Sequence, residues 1–104
     1  MREERATVYG DLTLQEDLLL YAMVTGNAVV PRGLHLDLHG MIGGDLRVDA
    51  GGTAAISGTV SGSVVNSGEI EVWGVVHGKI TDAGGTSVVH AGSVVRGRRV
   101  GPTT

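Results

Sequence analysis

Aliphatic residues recur along this chain at intervals of 16 to 18 residues, and every member of the main series is Val or Ile: Val8, Val24, Ile42, Val60, Val76 and Val94. Within each interval, apolar and polar residues alternate with a period of two. This alternation is typical of a β-strand, because successive side chains leave opposite faces of the strand. No segment shows an apolar stripe with a 3.6-residue period, so the pattern predicts strands and essentially no helix.

Each interval also contains the unit Gly-x-Val/Ile-x-Gly-x-aliphatic, which is clearest in the copies that begin at Gly40, Gly58 and Gly74. A repeat of this length is too short for a propeller blade, but it fits one turn of a β-solenoid with three short strands. Each residue of a solenoid stacks about 4.8 Å from its counterpart in the next turn, so equivalent positions share size and polarity. The aliphatic series is therefore a predicted core, and the glycines are predicted corners.

Two further series of inward positions precede the first glycine of each unit. One series is Leu18, Leu36, Ala54, Ile70 and Val88, and the other is Leu20, Leu38, Ile56, Val72 and His90. We therefore expect His90 to occupy an inward position near the last turn, either as a polar residue that is hydrogen-bonded to the end of the solenoid or as a partly exposed one. The connection that follows Val30, Val48 and Asp82 is longer than the one that follows Leu14 and Asn66. A surface loop at one corner accommodates such differences without disturbing strand register.

The chain is thus predicted to be a single all-β domain, a parallel β-helix of about six short turns. Residues 7–100 are assigned to the solenoid, residues 1–6 to a short polar N-terminal segment and residues 101–104 to a C-terminal tail. Periodicity alone leaves the handedness open. A strict six-residue step, typical of left-handed hexapeptide enzymes such as acyltransferases and metal-dependent carbonic anhydrases, also connects Val24, Val30, Leu36, Ile42, Val48, Ala54 and Val60.

The amino-acid composition limits the kinds of core and binding site that the chain can form. The 104 residues include no Phe, one Trp and two Tyr, so Val, Leu, Ile and Ala must build the core. Cysteine is absent, which excludes disulfides and thiolate metal sites. No apolar run is long enough to cross a bilayer, so we expect a soluble cytoplasmic protein without membrane association.

Charge is unevenly distributed along the chain. Residues 1–75 carry four basic and ten acidic side chains, net -6, and residues 76–104 carry four basic and one acidic, net +3, which sum to -3. An acidic protein with few aromatic residues is a poor candidate for nucleic-acid binding.

The polar residues suggest no catalytic, cofactor or metal site. His35, His39 and His77 are predicted to face outward at scattered points of the perimeter, too far apart for one tetrahedral site. Residues that follow the second glycine of the repeat are predicted to form a polar ladder that caps a corner: Asp11, Asn27 and Asp45.

One outward series combines aromatic and imidazole side chains: Tyr21, His39 and Trp73, in a column that also holds Ser57 and Ala91. If exposed, this column is the best candidate for binding a partner protein, because Trp and Tyr are enriched at interfaces. Packing of these side chains against the neighbouring corner is the alternative interpretation.

The repeated unit, above all Ile42-Gly43-Gly44-Asp45-Leu46-Arg47-Val48, resembles the bactofilins, a family of bacterial cytoskeletal proteins. The resemblance spans residues 8–94. It implies a right-handed, triangular β-helix that polymerises end to end without nucleotide and is not an enzyme. Self-association is then expected through the terminal turns, at Val8, Leu12 and Leu14 and at Val94, Arg98 and Val100. The alternative function is a monomeric or small-oligomeric binding module of the inhibitor or immunity type, which uses Tyr21, His39 and Trp73.

Overall fold

The computed structural model describes residues 2–90, 94–95 and 99–100, and within them the only regular secondary structure is β-strand. All strand pairs are parallel, and the strands form three sheets around one apolar core. The chain visits the sheets in rotation, so it forms a β-solenoid of about five turns. The prediction of an all-β parallel β-helix is confirmed.

Sheet A contains β1 (Arg2–Glu4), β3 (Leu18–Leu20), β6 (His35–Leu38), β9 (Thr53–Ile56), β12 (Glu69–Val72) and β15 (Thr86–Val89). Sheet B contains β4 (Met23–Val24), β7 (Met41–Ile42), β10 (Thr59–Val60), β13 (Val75–Val76) and β16 (Val94–Val95). Sheet C contains β2 (Leu12–Thr13), β5 (Ala28–Val30), β8 (Leu46–Val48), β11 (Val64–Asn66), β14 (Ile80–Asp82) and β17 (Arg99–Val100).

The predicted core series is present as a stack through sheet B. Val8 bridges Val24, and pairing continues through Ile42 and Val60 to Val76. The last four of these side chains are fully buried. Burying an aliphatic side chain of this size contributes about 1.5–3 kcal/mol, so repetition of the column through every turn stabilises a narrow interior that has no aromatic residue.

Glycine serves the corners in two different ways. Gly10, Gly33, Gly51 and Gly84 have positive φ, which other residues adopt at a cost. Gly44 is needed for space instead, because a Cβ there would lie 2.8 Å from the Gly26 carbonyl oxygen and would overlap the Asn27 side chain. The corners therefore require glycine both for turn geometry and for close stacking of successive turns.

A buried polar cluster interrupts the core near the C-terminal end. Asn66 is fully buried, accepts a hydrogen bond from the Gly68 N–H at 3.0 Å and donates to the Thr86 carbonyl at 2.8 Å. The Asn66 amide also lies 3.2 Å from the Ser87 hydroxyl, which donates to the Asp82 carboxylate. This cluster joins β11, β14 and β15.

The cluster changes the predicted register of the last turn. Ile70 pairs with Ser87 and Val72 with Val89, so the expectation that Val88 and His90 point inward is wrong. Val88 is exposed, whereas Ser87 is buried, because its hydroxyl is held by the Asn66 and Asp82 side chains.

The shift of one residue continues into sheets B and C. Val76 pairs with Val95, so the predicted alignment of Val76 with Val94 is wrong, and Val94 is exposed on the outer face. Val95 packs against the core instead. Val100 pairs with Thr81 rather than with Asp82.

At the other end, sheet A includes residues that the sequence analysis placed before the solenoid. β1 pairs with β3, and Arg2 and Glu4 stand in register with the core residues Leu18 and Leu20. Charged residues thus occupy core register positions on the outermost strand of this sheet. Charge on an edge strand hinders pairing with another sheet, so β1 protects one of the three edges at this end.

Candidate functional site

The corner between sheets A and B carries the aromatic column that the sequence predicts. We call it the corner strip; it consists of Arg5, Tyr21, His39, Ser57, Trp73 and His90, one residue from each successive turn. Backbone N–H groups hold the strip in register: Tyr21 donates to Glu4, His39 to Leu20, Ser57 to Leu38, Trp73 to Ile56 and His90 to Val72, all at 2.8–2.9 Å. The structure therefore brings Tyr21, His39 and Trp73 together on one line.

The rings of the strip stack in pairs. Tyr21 and His39 have centroids 5.3 Å apart and an interplanar angle of 21°, and Trp73 and His90 have centroids 4.3 Å apart at 4°. The Arg5 guanidinium carbon lies 4.4 Å from the Tyr21 centroid. Tyr21 and Trp73 nevertheless remain 41% and 44% exposed, so the strip presents stacked rings to the solvent.

Carboxylates line one side of the strip. Glu3, Asp37 and Glu71 share the outward column of sheet A with the uncharged residues Leu19, Ala55 and Val88. Each carboxylate faces a strip residue: Asp37 lies 3.1 Å from His39 Nε2, Glu71 lies 4.0 Å from His90 Nε2, and Glu3 lies 3.6 Å from the Arg5 guanidinium. Negative charge therefore accompanies the rings along the corner.

Apolar side chains line the other side. The outward column of sheet B consists of Met23, Met41, Thr59, Val75 and Val94. Met23 and Val94 are exposed at its two ends. The corner strip and this column form one apolar and aromatic face along the solenoid, a surface suited to protein binding.

A second corner holds the predicted polar ladder, which is confirmed and is longer than expected. Asp11 accepts from the Asn27 N–H, Asn27 from the Asp45 N–H and Asp45 from the Ser63 N–H, each at 2.8 Å. Ser63 continues it by accepting from the Lys79 N–H at 3.2 Å. The ladder satisfies corner amides, so these side chains have a structural role.

The N-terminal end of the solenoid contains a shallow depression. Val8 and Leu12 are half-buried there, beside the nearly buried Leu14 and Leu18 and next to Glu4. The structure thus groups the three residues predicted for self-association at this end. Of the three predicted at the other end, Val94 is exposed, Val100 is described only by its backbone pairing, and Arg98 lies outside the described residues.

The histidines do not converge on a metal site. In the part of the chain that the structure describes, no three His, Asp or Glu side chains are grouped so that they could hold a metal ion. His35 Nδ1 lies 2.7 Å from the Thr53 hydroxyl on sheet A. Among the same residues there is no helix of the length and apolarity needed to cross a bilayer.

Sequence reasoning missed two members of the strip. The sequence pattern predicts Arg5 in the polar N-terminal segment, although Arg5 precedes Tyr21 by 16 residues, a normal repeat step. It also predicts His90 in the core and Ala91 in the strip. The structure places His90 in the strip, and Ala91 lies outside the described residues.

Fold and surface together define a parallel β-solenoid with an aromatic side face. No protein-family model, curated protein or solved structure matches this chain.

Proposed function

We propose that this protein is a non-enzymatic structural scaffold of the bactofilin type, which acts in the cytoplasm and associates end to end through its terminal turns. The observation that supports this best is the depression at the N-terminal end, where aliphatic residues lie beside polar ones that include Glu4 and Glu16. Val8 and Leu12 pack against the core on one side only, so a further turn supplied by another copy would complete their burial.

The sheet edges at this end support the same proposal. β2 is the outermost strand of sheet C there, and in sheet B the segment around Val8 lies outside β4, because Val8 pairs with Val24. The outer sides of these edges present N–H and C=O groups that another copy's strands can pair with. Sheet A ends instead in β1, which carries Arg2, Glu3 and Glu4, with Glu3 paired to Arg5. Salt screens these charges, so the association should depend on ionic strength.

Sedimentation velocity across concentration and salt, with negative-stain micrographs of the same samples, tests the scaffold. We expect large or filamentous species that are lost in Leu12→Glu and retained in Val65→Glu, because Leu12 contacts the core at the end of the solenoid and Val65 is exposed on the central strand β11 of the same sheet. Circular dichroism establishes that both variants remain folded. A wild-type protein that stays monomeric, or that forms only a small closed oligomer under all conditions, excludes end-to-end assembly.

The C-terminal end offers a second pair of variants for the same comparison. Val95 packs against the core and Val94 faces outward, so Val95→Glu should reduce assembly more than Val94→Glu. An equal effect of the two substitutions would contradict a joint that continues the core through this end.

The exposed stacked rings favour a second candidate function, a protein-binding module that uses the corner strip. In this case Trp73→Ala abolishes binding of a partner recovered with the protein as bait, and leaves its sedimentation unchanged. Binding that survives Trp73→Ala would exclude the strip as the binding surface.

A further inference from the structure

The corner strip is interrupted at one turn. Ser57 stands between His39 and Trp73, and its small side chain leaves a gap between the two stacked pairs. Adjacent turns of a parallel β-solenoid are about 4.8 Å apart, so the His39 and Trp73 levels are separated by about 10 Å. A planar group placed midway would lie about 5 Å from each ring, a separation like the 5.3 Å and 4.3 Å of the existing pairs.

The sheet beside the gap indicates the charge of that group. Ala55 occupies the outward column of sheet A in the same turn as Ser57, with Asp37 in the turn before and Glu71 in the turn after. Two carboxylates thus flank the gap, and only a methyl group stands between them. The titratable groups on the elements around it are His35, His39, His90, Asp37, Glu69 and Glu71. Asp37 contacts His39 and Glu71 contacts His90, and β6, β9 and β12 carry no lysine or arginine.

The strip already accommodates one guanidinium. Arg5 occupies the strip position of the first turn, stacks on Tyr21 at 4.4 Å and pairs with Glu3 at 3.6 Å. Glu3 precedes Arg5 by two residues in the outward column of sheet A, the same relation that Ala55 has to Ser57. This surface therefore supports a guanidinium stacked on a strip ring. The carboxylate belongs to the same turn at Arg5, whereas at Ser57 the carboxylates belong to the turns before and after.

We propose that the gap at Ser57 binds an arginine side chain of a partner protein. A guanidinium is flat, so it stacks between His39 and Trp73, and its positive charge lies between the Asp37 and Glu71 carboxylates of the turns before and after. An ammonium group is charged but not planar, and an uncharged ring is planar but not charged, so neither interacts favourably with both the rings and the carboxylates. The inference rests on the second candidate function and does not depend on end-to-end assembly.

Trp73 provides the readout, because it is the only tryptophan in the chain. The protein is titrated to millimolar concentration with acetyl-Gly-Arg-Gly-amide, since one side chain in a shallow gap binds weakly, and the tryptophan emission is followed. Matched peptides replace the arginine with lysine or with citrulline, which keeps the planar group and removes the charge. We expect saturable binding of the arginine peptide at least tenfold tighter than of either control.

Two variants locate the response. Ser57→Arg fills the gap from within and should abolish it, whereas Thr13→Arg adds the same charge on sheet C and should leave it unchanged. Glu71→Gln should weaken binding several-fold. Thermal melts of all three verify that the solenoid is intact.

Four results overturn the proposal: no saturable response, an equal response to the citrulline peptide, a response that persists in Ser57→Arg, or methylguanidinium binding as tightly as the peptide. The last would assign the gap to small cations rather than to a protein side chain. A partner that binds through Trp73 but is insensitive to Ser57→Arg would uphold the second candidate function and reject arginine recognition.

Discussion

Replacing Asn66 with alanine should destabilise the C-terminal turns of the solenoid more than the others. The Asn66 side chain is fully buried and makes two well-formed hydrogen bonds, from the Gly68 N–H at 3.0 Å and to the Thr86 carbonyl at 2.8 Å. Gly68 is itself buried, so its N–H is left without this acceptor inside the protein. The first contact holds the corner that follows β11, and the second joins β11 to β15 in the next turn.

The cost follows from these two contacts. A buried donor that loses its acceptor costs about 1–3 kcal/mol, and we take about 2 kcal/mol for the Gly68 N–H. The Thr86 carbonyl belongs to an exposed residue that water can reach, so its lost bond costs about 1 kcal/mol. The sum is about 3 kcal/mol, a large part of the 5–15 kcal/mol that is typical of a domain. With an m value of about 1.5 kcal/mol/M, the urea midpoint falls by about 2 M.

Urea denaturation and hydrogen exchange measure this effect. Because each solenoid turn contacts only its neighbours, amides of β14 and β15 should lose protection while those of β4 and β5, two turns before Asn66, keep it. Val65→Ala, at an exposed position of the same strand, is the control and should change stability by no more than about 0.5 kcal/mol. A stability of Asn66→Ala within that margin, or an equal loss of protection in every turn, would refute the reasoning.

Two further predictions concern the corners. Gly44→Ala should reduce the stability by about 1–3 kcal/mol in thermal melts, because the new Cβ forces neighbouring turns apart. Gly33→Asn should reduce it less, because Gly33 has open space around it and Asn tolerates positive φ. Equal melting temperatures of the two variants would contradict this distinction. Asp45→Ala should cost about 1 kcal/mol, because the Ser63 N–H loses its acceptor, while Asp45→Asn should be nearly neutral, since Asn27 fills the same role one turn earlier. Similar losses for the two Asp45 variants would show that the ladder does not stabilise the corner.

Most of the fold follows from the sequence because stacking makes each turn constrain the next. The series from Val8 to Val76 is predicted correctly, since an aliphatic core position one turn away requires an aliphatic neighbour. The last turn does not follow, because Val88 and Val89 are both apolar and alternation permits either to face inward. The hydrogen bonds of Ser87 to Asn66 and Asp82 decide between the two registers, and the bond to Asn66 joins residues 21 positions apart in the sequence.

The residues of the candidate site can be predicted from the sequence only where the turns are aligned correctly. Tyr21, His39 and Trp73 emerge as one surface because they occupy equivalent positions in correctly aligned turns. His90 is missed because the register changes after Asp82. Arg5 is missed because β1, the strand before it, has charged residues in place of aliphatic ones. The pairing of rings, the guanidinium on Tyr21 and the carboxylates beside the strip depend on side-chain conformation, which periodicity does not specify.

The gap at Ser57 is costly for the solenoid on its own. Stacked rings contribute about 0.5–1.5 kcal/mol per pair, and Ser57 forgoes contacts with rings on both sides. Ala55, in the same turn as Ser57, is uncharged, although the turns before and after it carry Asp37 and Glu71 in the same column. Two neighbouring columns thus change to small residues at the same level, where a planar cation gains the most contacts. If the gap serves binding rather than stability, Ser57→Arg should melt above the wild-type protein while it binds no arginine peptide; a lower melting temperature would mean that the turn cannot accommodate a guanidinium there.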